Sequence, residues 1–129
     1  MKRVLIIAGL LIAGTVQAAQ PSALLEGYQA AARKADPAFS PSASRGAQFF
    51  DSPHGKEWSC ATCHGNPPTS AGKHATTGKP IAALAPRANG ERFTDAAKVE
   101  KWFRRNCNDV LGRACTPAEK ADVLAWLLK

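Results

Sequence analysis

The chain has 129 residues, 45% of them hydrophobic, and carries 17 lysines and arginines against 10 aspartates and glutamates, a formal net charge of +7. The basic residues Lys98, Lys101, Arg104, Arg105 and Arg113 are spread as on a solvated helix face, which argues against a nucleic-acid partner. No stretch after the first residues is apolar enough to cross a bilayer, which argues against a membrane-embedded protein.

At the amino terminus, Met1-Lys2-Arg3 is positive, an apolar run follows from Val4 to Ile12, and Val16-Gln17-Ala18 resembles a small-residue cleavage site. A signal peptide over residues 1–18 is therefore predicted, with the mature chain starting at Ala19 and a single domain over residues 19–129. The apolar run is short for an uncleaved anchor, since a span needs about 20 residues. Without Lys2 and Arg3 the basic residues fall to 15 against 10 acidic ones, so a mildly basic mature protein and an acidic partner surface are expected. A domain of about 110 residues buries only a modest core unless something large and apolar supplements it.

Pro21 and Pro37 bracket a predicted helix in which Leu24, Leu25, Tyr28 and Ala31 or Ala32 share a face. It is expected to pack outside the core that surrounds the cofactor read from the next motif. Residues 38–44 read as a linker, and Ser44 to Phe50 as a short helix with Gly46 and Phe49 or Phe50 at packing positions. This segment resembles the amino-terminal helix of class I cytochromes c.

Next comes Cys60-Ala61-Thr62-Cys63-His64. Two thiols at this spacing can add to the two vinyl groups of a haem, and the adjoining His64 then reaches the iron as proximal ligand. The other readings are a redox pair, half of a zinc site and a plain disulfide. The flanks show neither a βαβ context nor a second ligand pair, so one covalently attached haem c is expected. Export of such a protein implies the periplasm. After His64 the prolines, glycines and threonines up to Pro80 read as a long irregular loop beside the cofactor.

From Thr94 to Leu111 the spacing predicts a helix capped by Thr94 and stopped at Gly112. Its apolar face carries Val99, Trp102, Phe103 and Val110, and Asn106 falls on that same face. A primary amide there needs a polar partner or costs about 1–3 kcal/mol. Cys107 follows directly and Cys115 lies past the helix end; in an oxidising compartment the two should pair and clamp the helix bearing Asn106. Thr116-Pro117-Ala118-Glu119 then forms a capping box ahead of a last helix that turns Val123, Leu124, Leu127 and Leu128 inward.

The only methionine is Met1, so the mature chain has none to offer as the sixth ligand. Candidates are His54, His74, a lysine, Asn106 or an open position. Both histidines have hydrophilic neighbours and read as surface residues, whereas Asn106 is the anomaly on the face expected to cover a haem.

Three stretches taken together resemble the SHP-type high-spin cytochromes c and their relative cytochrome c″: Cys60 to His64, Leu84-Ala85-Pro86-Arg87-Ala88-Asn89 leading into Arg92-Phe93-Thr94-Asp95, and Val99 to Arg113 with Cys115. The resemblance covers nearly the whole mature chain. It implies an all-α, class I cytochrome c-like fold with an additional amino-terminal helix around a covalent haem. It also implies His64 as proximal ligand, Asn106 as distal ligand and a Cys107–Cys115 bridge. Histidine occupies the distal position in cytochrome c″, so bis-histidine, low-spin behaviour does not carry over to asparagine; Asn89 and Asn108 are not assigned to iron. Reduction should weaken an amide ligand and open the sixth site to O₂, NO or CO, with Trp102 and Phe103 lining the pocket. The implied activity is ligand-gated electron exchange with a multihaem or membrane cytochrome partner, and a monomer is expected. A haem enzyme reducing oxygen, NO or peroxide is the alternative; it would need a distal acid–base group, for which Arg105 and Arg87 are the nearest unassigned side chains.

Overall fold

Prolines, small polar caps and glycines set the ends of five helices in the computed structural model, which describes residues 18–129. The predicted leader, apart from Ala18, lies outside the described residues. Helix α1 (Pro21–Ala32) has its proline in the first turn, where a missing N–H costs nothing. Helix α2 (Ala43–Asp51) starts where the Ser42 side chain accepts from the Arg45 N–H. A one-turn helix α3 (Cys60–His64) holds the haem motif, and α4 (Ala96–Leu111) and α5 (Pro117–Leu127) complete the set. Among the described residues no helix is long and apolar enough to cross a membrane.

Helix α5 is the centre of the packing, with α1 and α2 both lying closely along it. The core joins Phe50 of α2, Phe93, Val99 of α4, and Val123, Leu124 and Leu127 of α5; Phe50 and Leu124 are fully buried. Gly46 makes the α2–α5 approach possible, because a Cβ there would run into the Asp122 carbonyl. The Asp122 carboxylate, buried at the same crossing, accepts from the Ser42 N–H at 2.7 Å and from Arg45 Nε and Nη2 at 2.8 and 2.9 Å. That bidentate pair satisfies a charge that burial would otherwise penalise.

Four expectations need correction. Helix α1 is not outside the core: Leu24, Leu25 and Tyr28 pack against the central cluster and Ala32 is buried. Its apolar face simply found α5. The cap of α4 is Asp95, whose carboxylate accepts from the Lys98 N–H at 3.0 Å, while Thr94 donates its hydroxyl to the Glu91 carbonyl. An Asp one residue nearer the helix competes directly with a Thr. The loop after His64 contains an antiparallel ribbon, β1 (Gly72–Lys73) with β2 (Pro80–Ile81), in the register Gly72 to Ile81 and Lys73 to Pro80. Leu128 ends up exposed, because α5 stops at Leu127.

Phe93, just before α4, has φ +61° and is buried in the core. The left-handed region is costly for a side chain of this size, about 1–2 kcal/mol. Burying the ring offsets that cost.

Candidate haem site

Helix α3 is short, and its start is closed by a reciprocal cap: Ser59 Oγ accepts from the Thr62 N–H at 3.3 Å, and Thr62 Oγ1 accepts from the Ser59 N–H at 3.0 Å. The cap fixes one turn that would not survive alone. Cys60 and Cys63 project from that turn, both half-buried and both free of any disulfide, which removes the plain-bridge reading. Cys60 packs against the core, and burial pushes its thiol up to about 11. A redox-active pair needs a depressed thiol instead. No cluster of three or more metal-ligating side chains exists among the described residues, which removes support for a zinc site.

The ribbon closes against the end of α3. A Cβ on Gly72 would collide with the Cys63 carbonyl and the His64 backbone, so glycine is required at this crossing. Beside it, the Ala75 N–H points at Cys63 Sγ at 3.3 Å. His64 stands with its ring 6.2 Å from that of Phe50. Its Nδ1 is buried with no hydrogen-bond partner, and burial, followed by the charge of Arg92, lowers its pKa to about 4. Arg92 is fixed by donating from Nε to the Ala83 carbonyl at 2.9 Å and from Nη2 to the Ala82 carbonyl at 2.6 Å. A neutral imidazole with free nitrogens is the form that binds a metal.

On α4, Val99 and Val110 are buried and Phe103 is half-buried, whereas Trp102 departs from the expected inward position and leaves 43% of its surface exposed. The Arg105 guanidinium lies 5.7 Å from the centre of the Trp102 ring. Asn106, one turn on, is half-buried, and its amide has no hydrogen-bond partner among the described residues. Cys107 and Cys115 form the expected disulfide, with Cα atoms 5.6 Å apart and both residues buried.

The two other histidines are engaged elsewhere. His54 Nε2 donates to the Phe49 carbonyl at 2.8 Å, and its ring lies against that of Phe49. His74 Nδ1 accepts from the N–H groups of Thr76 and Thr77 at 3.3 and 3.2 Å, shaping the turn of the ribbon. Two cavities stand out, a groove of about 470 Å³ beside Phe39, Arg45 and Asp122 and one of about 210 Å³ beside Lys56, Trp58 and Asp109; neither is lined by His64 or Asn106.

These residues fit a covalent haem. Two unpaired cysteines on a capped turn and an imidazole with an orphaned buried nitrogen are the groups that would hold a covalent haem, while α4 carries an exposed indole and an unpartnered amide. Sequence reasoning missed Gly72 and Arg92, whose roles depend on which strands and carbonyls come near them.

Comparison with known proteins gives a consistent outcome. Residues 36–127 match a family model described as a domain of unknown function, DUF1924. The chain is 52% identical to the cytochrome c-type protein SHP of Cereibacter sphaeroides, over 95% of this chain and 91% of that one. It is 48% identical to cytochrome c″ of Methylophilus methylotrophus over 78% of this chain and 74% of the relative. Among solved structures, oxidized cytochrome c″ superposes with a TM-score of 0.77 at 46% identity, covering 84% of this chain and 93% of that one. Oxidized SHP, described as an oxygen-binding cytochrome c, superposes with a TM-score of 0.76 at 52% identity, covering 85% and 96%. Both agree with the all-α fold seen here.

Proposed function

Because the chain belongs to the family of SHP and cytochrome c″ and is therefore a c-type cytochrome with covalently bound haem c, we propose that it is a periplasmic, high-spin monohaem protein that binds O₂, NO or CO when Asn106 is given up on reduction, and that exchanges electrons with partner cytochromes. The carrying observation is Asn106 itself: an unpartnered amide directly before a bridged cysteine, in a chain whose only methionine is Met1. The oxygen-binding relative supports the ligand class. The lone Cys-x-x-Cys-His motif supports a single haem, and the leader-like first residues together with the disulfide support periplasmic export.

Haem c supplies an iron that stores one electron and accepts small ligands. The chain's own residues do the rest. Cys60 and Cys63 would hold the group covalently on α3, and His64 would bind its iron as proximal ligand. Burial keeps that imidazole neutral and hence able to bind metal throughout the physiological range. Asn106 offers a neutral, hard oxygen or nitrogen, which suits ferric better than ferrous iron. The disulfide at Cys107 limits how far the amide can stray. Phe103 and Trp102, on the same helix as Asn106, would give a bound haem apolar neighbours, and a released amide would retain two N–H donors for a polar diatomic. Lys98, Lys101 and Arg104 are exposed and make no ion pair among the described residues, which supports an acidic partner surface, whether on a multihaem or a membrane cytochrome.

Electron paramagnetic resonance of the ferric holoprotein tests the ligand assignment. Asn106→His, a stronger-field ligand, should convert high-spin to low-spin iron, and Asn106→Ala should stay high-spin while binding small ligands faster. Identical spectra for all three proteins would mean that Asn106 does not bind iron.

A further inference from the structure

Helix α4 is held differently from its neighbours. The close helix pairs are α2 with α5 and α1 with α5; α4 has no comparably close pairing and is fixed through side chains. At its entry the Ala19 N–H donates to the Thr94 carbonyl at 2.8 Å. At its far end the Cys107–Cys115 bridge ties it to the approach to α5. Between them, Tyr28 of α1, Glu100 and Phe103 of α4, and Lys120 of α5 meet in one cluster.

Glu100 is the hub. Tyr28 donates its hydroxyl to Glu100 Oε1, and Lys120 Nζ donates to Oε2 at 2.8 Å. The Lys120 ammonium lies 5.3 Å from the centre of the Tyr28 ring and 5.6 Å from that of Phe103, and these two rings meet edge to face at 5.8 Å. The lysine side chain is only 15% exposed, so its charge is committed to this cluster. Together the contacts join α1 to α4, α5 to α4 and α5 to α1, and Phe103 lies one turn before Asn106.

We propose that Tyr28, Glu100 and Lys120 are positioning residues for the distal site: the cluster sets the seating of α4 and thereby how readily Asn106 leaves the iron. The additional amino-terminal helix then has a role in ligand exchange through Tyr28. This rests on the reading of Asn106 as distal ligand and adds what governs its release. A purely structural cluster would change stability alone. A positioning cluster must also change a rate that Asn106 controls.

The test is stopped-flow binding of imidazole to the ferric holoprotein. If Asn106 must leave first, the observed rate levels off at high imidazole, and the plateau reports amide release. Lys120→Met removes the ammonium but keeps the aliphatic stem, and should raise the plateau about fivefold; Glu100→Gln, at a more exposed position, should raise it in the same direction. Tyr28→Phe keeps the ring contact and should have the smallest effect. Arg45→Met breaks the α2–α5 ion pair without touching α4, and should lower the melting temperature with an unchanged plateau. Equal plateaus in wild type, Lys120→Met and Glu100→Gln would overturn the proposal, as would a Lys120→Met effect that persists in an Asn106→Ala background. If Asn106→Ala alone binds imidazole as wild type does, the ligand assignment itself falls, and the positioning role with it.

Discussion

Reducing the Cys107–Cys115 bridge should cost a definite amount of stability. The two cysteines are separated by 8 in sequence, and the chain-entropy relation for a loop of that length gives about 2.5 kcal/mol at 25 °C. Both residues are buried, so Cys107→Ala with Cys115→Ala would add a packing loss; reduction of the wild-type protein leaves the volume unchanged and isolates the cross-link. For a domain of this size that amounts to a melting-temperature drop of roughly 8–12 °C. Thermal unfolding followed by far-ultraviolet circular dichroism, on the ferric holoprotein with the bridge intact and with its two thiols reduced and left unmodified, reads it directly. The same comparison should show faster imidazole binding in the reduced form, since the residue next to Asn106 is no longer clamped. A drop below about 3 °C would show that α4 and the α5 approach are held together by packing, and that the bridge contributes little to the fold.

Other outcomes follow from single contacts. Gly46→Ala drives a methyl into the Asp122 carbonyl and should cost about 2–4 kcal/mol, read as a lower denaturant midpoint with an unchanged slope. Cys60→Ser with Cys63→Ser should leave haem extractable by acidified ketone, whereas the wild-type haem should stay with the protein. Burial alone would raise the Glu119 pKa, but its bonds to Arg113 and to the Thr116 N–H outweigh burial and lower it. Its contribution is therefore complete above the unfolded value of about 4.3 and disappears as pH falls through the lower folded value. Glu119→Gln should accordingly be less stable than wild type at pH 6 in urea titrations, with the gap closing in acid.

What was legible in the sequence was what local chemistry dictates. Thr116 to Glu119 spells a capping box and forms one, and Gly112 stops α4 in the left-handed conformation expected of it. The Cys107–Cys115 pairing, expected from their separation and from a predicted signal peptide, forms a disulfide. Features decided by distant segments were not legible. Nothing near Gly46 announces the carbonyl of Asp122, and nothing near Tyr28 announces Glu100 and Lys120. Trp102 illustrates the limit of a periodicity argument: helical spacing places it beside Val99 and Asn106, yet the packing around α4 covers Phe103 and leaves the indole at the edge. The ribbon was read as loop because strands of two residues leave too short a pattern to detect.

Phe93 carries a consequence for how this sequence can drift. Its backbone favours glycine or asparagine, and its surroundings favour a large ring, so the two demands select opposite residues. A change to glycine would relax the torsion and empty the core; a change to leucine or valine would fill part of the core and keep the strain, and β-branching would deepen it. No single replacement improves both. Position 93 is thus a local optimum bounded by barriers on every side, and because α4 starts immediately after it, the direction in which that helix leaves the core is inherited with the aromatic ring.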